Sequence, residues 1–277
     1  MTGNESIHKQ DLAPILAAHI GSNLLERALH WIVTPDNLVR LLGCYVHFNS
    51  VFGSGVTNLV GAIAVRRYLF RDLNDEVEPL ADRSVEVAAD IFLAAIDEFG
   101  DRGTFHRSTH RSLAQATLKA TKLFFGYDQE AFNKIIDPNE STLVALGKVS
   151  DNYGINQSMD EQKIFRAIGF HMGSEILADE EFSILHRYLR ANHPGLVAYL
   201  ETTKIKINNL EHPCYLWIHT HTTVEADHFS AAQAGANLAL QYYAGQQDPR
   251  CIKHWIIEGF KEFATVQAQF MNGLIEE

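Results

Sequence analysis

Gly169-Phe-His-Met-Gly-Ser-Glu175-Ile-Leu-Ala-Asp-Glu-Glu-Phe182 is the stretch on which the fold turns. At helical spacing Glu175 shares a face with His171, Ala178 and Phe182. Gly173, Ser174 and Ala178 are small, so another helix or a metal ion can come close there. The same phase runs from Met159 to 192, far longer than a strand. Ser158-Met-Asp-Glu161 ahead of it reads as a capping box, in which hydroxyl and carboxylate each satisfy an orphan amide.

Outward from this run, apolar residues recur at three and four along nearly the whole chain. The pattern predicts helices over 8–33, 36–71, 83–99, 106–126, 128–136, 139–150, 159–192, 194–201, 213–244 and 249–275. Pro35-Asp36 and Asp248-Pro249 open helices, and Asp101-Arg102-Gly103 ends one. Thr202 to Asn209 alternates like a short strand and is read as a loop. No repeat, low-complexity tract or long linker interrupts the chain. The expectation is one all-α helical bundle over residues 1–277.

Composition narrows the functional classes. A formal net charge of −11 and a pI near 5.7 disfavour a phosphate backbone as partner, so no nucleic acid is expected. Cys44, Cys214 and Cys251 form no C-x-x-C and are odd in number, which argues against a disulfide framework. The polar start, Met1 to Gln10, has no signal-peptide core. The apolar stretch Val51 to Val65 is too short to span a membrane. A cytoplasmic protein without membrane contact is the expectation. The 14 histidines justify a search for a metal site.

The sharpest local signal is His221-Thr-Thr-Val-Glu225-Ala-Asp-His228. On one helix these three metal-capable residues, at i, i+4 and i+7, would form a single stripe. Asp227 and His219 fall off it. In Ile91-Phe-Leu-Ala-Ala-Ile-Asp97-Glu98, Glu98 shares its face with Ile91, Ala94 and Ala95, whereas Asp97 faces with Asp90 and Glu86. An inward Glu98 needs a partner, because a lone buried carboxylate is costly. His110, with Leu113 and Thr117 on its face, is favoured over His106 one turn earlier. His171 reads as a satisfied core histidine, or as a neighbour of the metal or substrate. Glu98, His110, Glu175, His221, Glu225 and His228 thus supply three imidazoles and three carboxylates. That mixture suits iron or manganese better than magnesium or calcium.

At these residues the chain resembles the haem-oxygenase-like di-iron oxidases and oxygenases, a TenA-like helical family binding non-haem iron. The family pattern is a Glu and a later His on an early core helix, then a Glu on a middle helix. A His-x-x-x-Asp-x-x-His on a late helix completes it. Glu98 and His110 match the first pair, Glu175 the middle Glu, and His221, Glu225 and His228 the last triple. Glu225 stands where Asp is common, and the long gap from Glu175 to His221 leaves Glu181 as an alternative middle ligand. The resemblance covers about residues 80–245, leaving residues 1–70 as bundle, interface or lid. It implies two iron ions, O₂ as co-substrate, a possible homodimer and a small substrate, with an amino acid or amine favoured. Desaturation, N-oxygenation and oxidative C–C cleavage are the implied reaction types. Arg66, Arg67 and Arg166 are candidate carboxylate clamps. The rival expectations are a metal-free TenA-like binding or hydrolase protein, a haem enzyme, and a ferritin-like dimetal protein. The last normally pairs two Glu-x-x-His motifs on core helices, of which Glu225-Ala-Asp-His228 could be one.

Overall fold

The periodic run around Glu175 forms the longest helix of the chain's computed structural model, which describes residues 5–93, 96–100, 108–222 and 225–275. In chain order the first helices are α1 (Lys9–Ala18), α2 (Gly21–His30), α3 (Pro35–Phe48), α4 (Phe52–Ala64), α5 (Glu78–Ala81), α6 (Ser84–Leu93) and α7 (His110–Phe125). There follow α8 (Gln129–Ile136), α9 (Glu140–Asn152), α10 (Glu161–Asn192), α11 (Pro194–Thr202), α12 (Leu216–Thr220), α13 (Glu225–Gln241) and α14 (Pro249–Gly273). A hairpin of β1 (Lys204–Ile207) and β2 (Leu210–Pro213) lies between α11 and α12. The described residues are predominantly helical, as the periodicity predicts.

Residues 167–174 of α10 are all buried. A helix buried on every side belongs at the centre of a bundle, and α14, α13, α2, α4 and α9 all pack on it. Its cap is Asp160, whose carboxylate accepts from the Lys163 amide at 2.8 Å. The expected cap at Ser158 is therefore displaced by two residues, to a charged side chain that also complements the helix dipole. Asp248 caps α14 and Pro249 occupies its first turn, in keeping with the sequence.

The α10–α14 crossing depends on two glycines. A methyl built on Gly169 would run into the Ile256 carbonyl, and one on Gly259 into the Arg166 carbonyl. The backbones therefore meet at both points with no room for a Cβ. On an exposed helix, Gly→Ala stabilises by about 1 kcal/mol. Here the sign should reverse, with Gly169→Ala or Gly259→Ala each costing about 2 kcal/mol through overpacking. Urea unfolding at equilibrium checks this, and a gain in stability would contradict the close crossing.

Several expected helices break where side chains compete with the backbone. The run 8–33 breaks at His19, whose backbone is extended, and resumes at Gly21, where a side chain would meet the His19 ring. The run 36–71 is interrupted by a 3₁₀ turn, Asn49–Val51, and ends at Ala64. The Asn49 amide donates to the Tyr45 carbonyl at 3.0 Å, a local bond that competes with a continuing helix. The run 83–99 stops at Leu93 and is followed by a 3₁₀ turn, Ile96–Phe99. The run 213–244 divides at His221 and Thr222, where the Thr222 hydroxyl and amide both donate to the His219 carbonyl. The expected loop at 202–209 contains half of the hairpin instead. Asn208 and Asn209 form its two-residue turn, with φ of 50° and 65°. Both are left-handed, as a type I′ turn requires, and asparagine tolerates that region better than most residues.

Among the described residues no helix is long and apolar enough to cross a membrane.

Candidate metal centre

The 3₁₀ turn after α6 carries Glu98, and α7 opens on His110, directly after the capping residue Thr109. Their side chains meet, with His110 Nδ1 3.3 Å from Glu98 Oε1. His221, in the turn that ends α12, completes a triad. One ligand atom each from Glu98, His110 and His221 lies within 4.8 Å of the others.

His221 is held in a definite protonation state. Its Nδ1 is 2.7 Å from the Trp217 carbonyl, which can only accept, so Nδ1 carries the proton. Nε2 is left with a lone pair, the tautomer that a metal-ligating histidine needs. Burial, reinforced by the facing His110, pushes its pKa well below the ordinary histidine value. The Phe182 ring stacks on the imidazole at 4.1 Å between centroids and fixes its plane.

A second group centres on Glu175 of α10. Its Oε2 is 3.5 Å from His228 Nδ1 on α13, and its Oε1 is 3.3 Å from His171 Nδ1. His171 is fully buried and committed elsewhere. Its Nε2 donates to the Ile91 carbonyl at 3.2 Å, and Nδ1 lies 3.1 Å from the Tyr153 hydroxyl. Burial lowers its pKa, against the raising effect of Glu175. With its proton on Nε2, the neutral His171 ring accepts from Tyr153 at Nδ1 and donates nothing to Glu175; the Ser174 hydroxyl lies 3.3 Å from Glu175 Oε1 instead.

Both groups line one small cavity of about 40 Å³. Glu98, His110, Glu175, His221 and His228 all reach it, and so does Glu181. The sequence posed Glu181 as a substitute for Glu175; the fold brings both to the same space. Phe48, Phe52, Val56 and Phe263 form the apolar wall, with Asn49 beside them. Three of the described lining residues are carboxylates and none is Lys or Arg. Acidic groups brought together in low dielectric repel one another unless protons or cations compensate them. The donor set therefore fits metal cations.

Some sequence expectations need correction. His221 does not share a helix with His228, so the i, i+4, i+7 stripe does not exist; a turn and a helix deliver the two histidines separately. Glu98 reaches the cavity from a 3₁₀ turn, not from the continuous α-helix used to orient it. Glu225 opens α13, but its side chain lies outside the described residues, as does the whole of His106. Arg66, Arg67 and Arg166 do not line the cavity. They bond to the Met159 carbonyl, Asp82 and Glu262 respectively. The wall residues Phe48, Asn49, Phe52 and Val56 come from the N-terminal 70 residues, where the sequence offered no ligand and no signal for a wall.

A groove of about 840 Å³ between α1, α2 and α14 is lined by none of the expected ligands. The chain matches no protein-family model and no curated protein. The assignment of the site therefore rests on its own residues.

Proposed function

We propose that the chain is a non-haem di-iron oxidase or oxygenase of haem-oxygenase-like helical architecture, using O₂ to oxidise a small organic substrate. The convergence of Glu98, His110 and His221 with Glu175 and His228 on one small cavity, whose described lining holds no Lys or Arg, carries this reading. Glu98, His110 and His221 would hold one ion. Glu175 and His228 would hold the other, with Glu225 joining them on sequence grounds. Nitrogen and carboxylate donors together suit iron, with manganese as the near alternative. Iron bound there would supply the electrons and open coordination positions that O₂ chemistry needs.

The protein's own contribution can be derived from the residues. Trp217 fixes the His221 proton on Nδ1, so Nε2 is ready to donate. The Ser174 hydroxyl, 3.3 Å from Glu175 Oε1 and itself 3.2 Å from the Tyr153 hydroxyl, stands beside that carboxylate. Phe48, Phe52 and Phe263 give the cavity an apolar wall, and low-dielectric surroundings strengthen charge interactions beside them. A volume of 40 Å³ holds ions and a few small molecules but no organic substrate. A substrate must approach from an adjoining space. A recess of about 10 Å³, itself too small for a substrate, shares Asn49, Glu98, His110 and His221 with the cavity and adds Ser50 and Arg111 on that side. A cation at that position favours a substrate bearing a carboxylate, such as an amino acid. A homodimer belongs to the same proposal, on the family resemblance alone.

The test is rapid mixing of the Fe(II)-loaded chain with O₂, followed by visible absorbance and O₂ consumption. Uptake of about one O₂ per two irons, with a transient visible band, is the expected result. Iron that oxidises no faster than free Fe(II) in the same buffer would defeat the proposal.

A further inference from the structure

One buried polar residue beside the cavity is not explained by the ligand set. Gln267 lies on the face of α14 turned to α10, among Phe260, Phe263, Val266, Phe270 and Met271, and is 2% exposed. A buried amide is costly unless bonded. Its Nε2 donates to Glu181 Oε2 at 2.6 Å and to the Leu177 carbonyl at 3.2 Å, which uses both N–H groups. Glu181 is itself 5% exposed and lines the cavity.

An amide and a carboxylate buried together are a poor device for stability. Apolar residues of similar volume at such positions are often neutral or stabilising. The pair makes sense if the carboxylate has work in the cavity. The nearby Tyr45 hydroxyl is not its donor, because it bonds to Met271 Sδ at 3.4 Å. The contact from Gln267 is short, at 2.6 Å, and joins α14 directly to the cavity-lining carboxylate.

We propose that Gln267 is a positioning residue that holds Glu181 in the cavity as a further carboxylate donor to the metal centre, beside Glu175 rather than in its place. This rests on the metal-centre reading above. A carboxylate held by a buried amide has fewer orientations open to it, so an ion meets it with less ordering of the side chain. Loss of the tie should weaken metal binding without removing a ligand.

Anaerobic Co(II) titration of the full-length apo chain tests this, because cobalt absorption bands report the donor set. Wild type, Gln267→Met, Glu181→Gln and the double variant are compared. Wild type should bind two Co(II) per chain. Gln267→Met should keep that number but bind roughly tenfold more weakly, the usual effect of losing an outer hydrogen-bond partner, with altered bands. Glu181→Gln should weaken binding at least as much. Adding Gln267→Met to Glu181→Gln should then change little, since the coupling runs through one carboxylate. Unchanged affinity and bands in Gln267→Met would overturn the inference and leave the metal centre standing. So would a tenfold loss that persists in the Glu181→Gln background. A wild-type chain that binds no Co(II) would overturn the metal-centre reading itself. If Gln267→Met yields no folded protein by circular dichroism, Gln267→Asn carries the same test, because it keeps the amide but not its reach.

Discussion

Replacing His221 by alanine is expected to weaken metal binding by more than about a hundredfold, beyond the tenfold to hundredfold typical of losing an outer partner. The residue does three things at once. It supplies one ring nitrogen to the Glu98–His110–His221 cluster. Its Nδ1–H is fixed on the Trp217 carbonyl. Its ring fills space against Phe182. Truncation removes the donor and leaves a void, so stability should also fall by about 2 kcal/mol. That loss is survivable for an ordinary domain. His219→Ala is the control, because His219 is exposed and two residues away. It should bind metal within about twofold of wild type, on the expectation that exposed substitutions do little. Equal loss in both variants would point to disturbance of the α12 turn rather than removal of a ligand.

Acid is expected to destabilise the metal-free chain between about pH 6.5 and 5. His171 and His221 are buried, and both have pKa values lowered by that burial. In this window the unfolded chain takes up protons that the folded chain refuses. Stability is therefore fully present above the unfolded histidine pKa and is lost as pH falls below it. Each buried histidine contributes a slope of up to about 1.4 kcal/mol per pH unit. His19, His47, His186 and His193 shift in the same direction but are less buried. The depressed carboxylates Asp11, Asp82 and Asp248 lose their contribution only at lower pH, so the window belongs to the histidines. Urea unfolding at pH 7.0, 6.0 and 5.0 checks the slope. A flat profile would contradict neutral buried imidazoles. Metal binding should weaken over the same range, since protons compete for the ligand nitrogens.

Much of this was legible in the chain, for physical reasons. The 3.6-residue period identified α10, and the small residues beside Glu175 marked a place of close approach. His110, favoured because its face continues into Leu113 and Thr117, lines the cavity, while His106 lies outside the described residues. Other features were hidden because they depend on tertiary context. Thr222 bonds back to the His219 carbonyl in a turn after α12, so His221 and His228 reach the cavity from two directions. Glu98 faces inward, but on a 3₁₀ turn whose geometry a helical wheel does not describe. Gln267 resembles an ordinary polar position until α10 packs over it. Phe48 and Phe52 look like generic core, and only the break at Asn49 sets them as a wall. Asn208-Asn209 lacks the glycine of the commoner hairpin signal, so the hairpin read as a loop.

The measurement that bears most directly on the central claim is an anaerobic Fe(II) titration of the purified apo chain, with bound iron counted per chain. Wild type should saturate at about two irons, and Glu98→Ala and Glu175→Ala should each lose tight binding of at least one while remaining folded. A wild-type chain that binds no iron, or both variants loading like wild type, would contradict the di-iron centre. The cluster would then stand as a buried polar network.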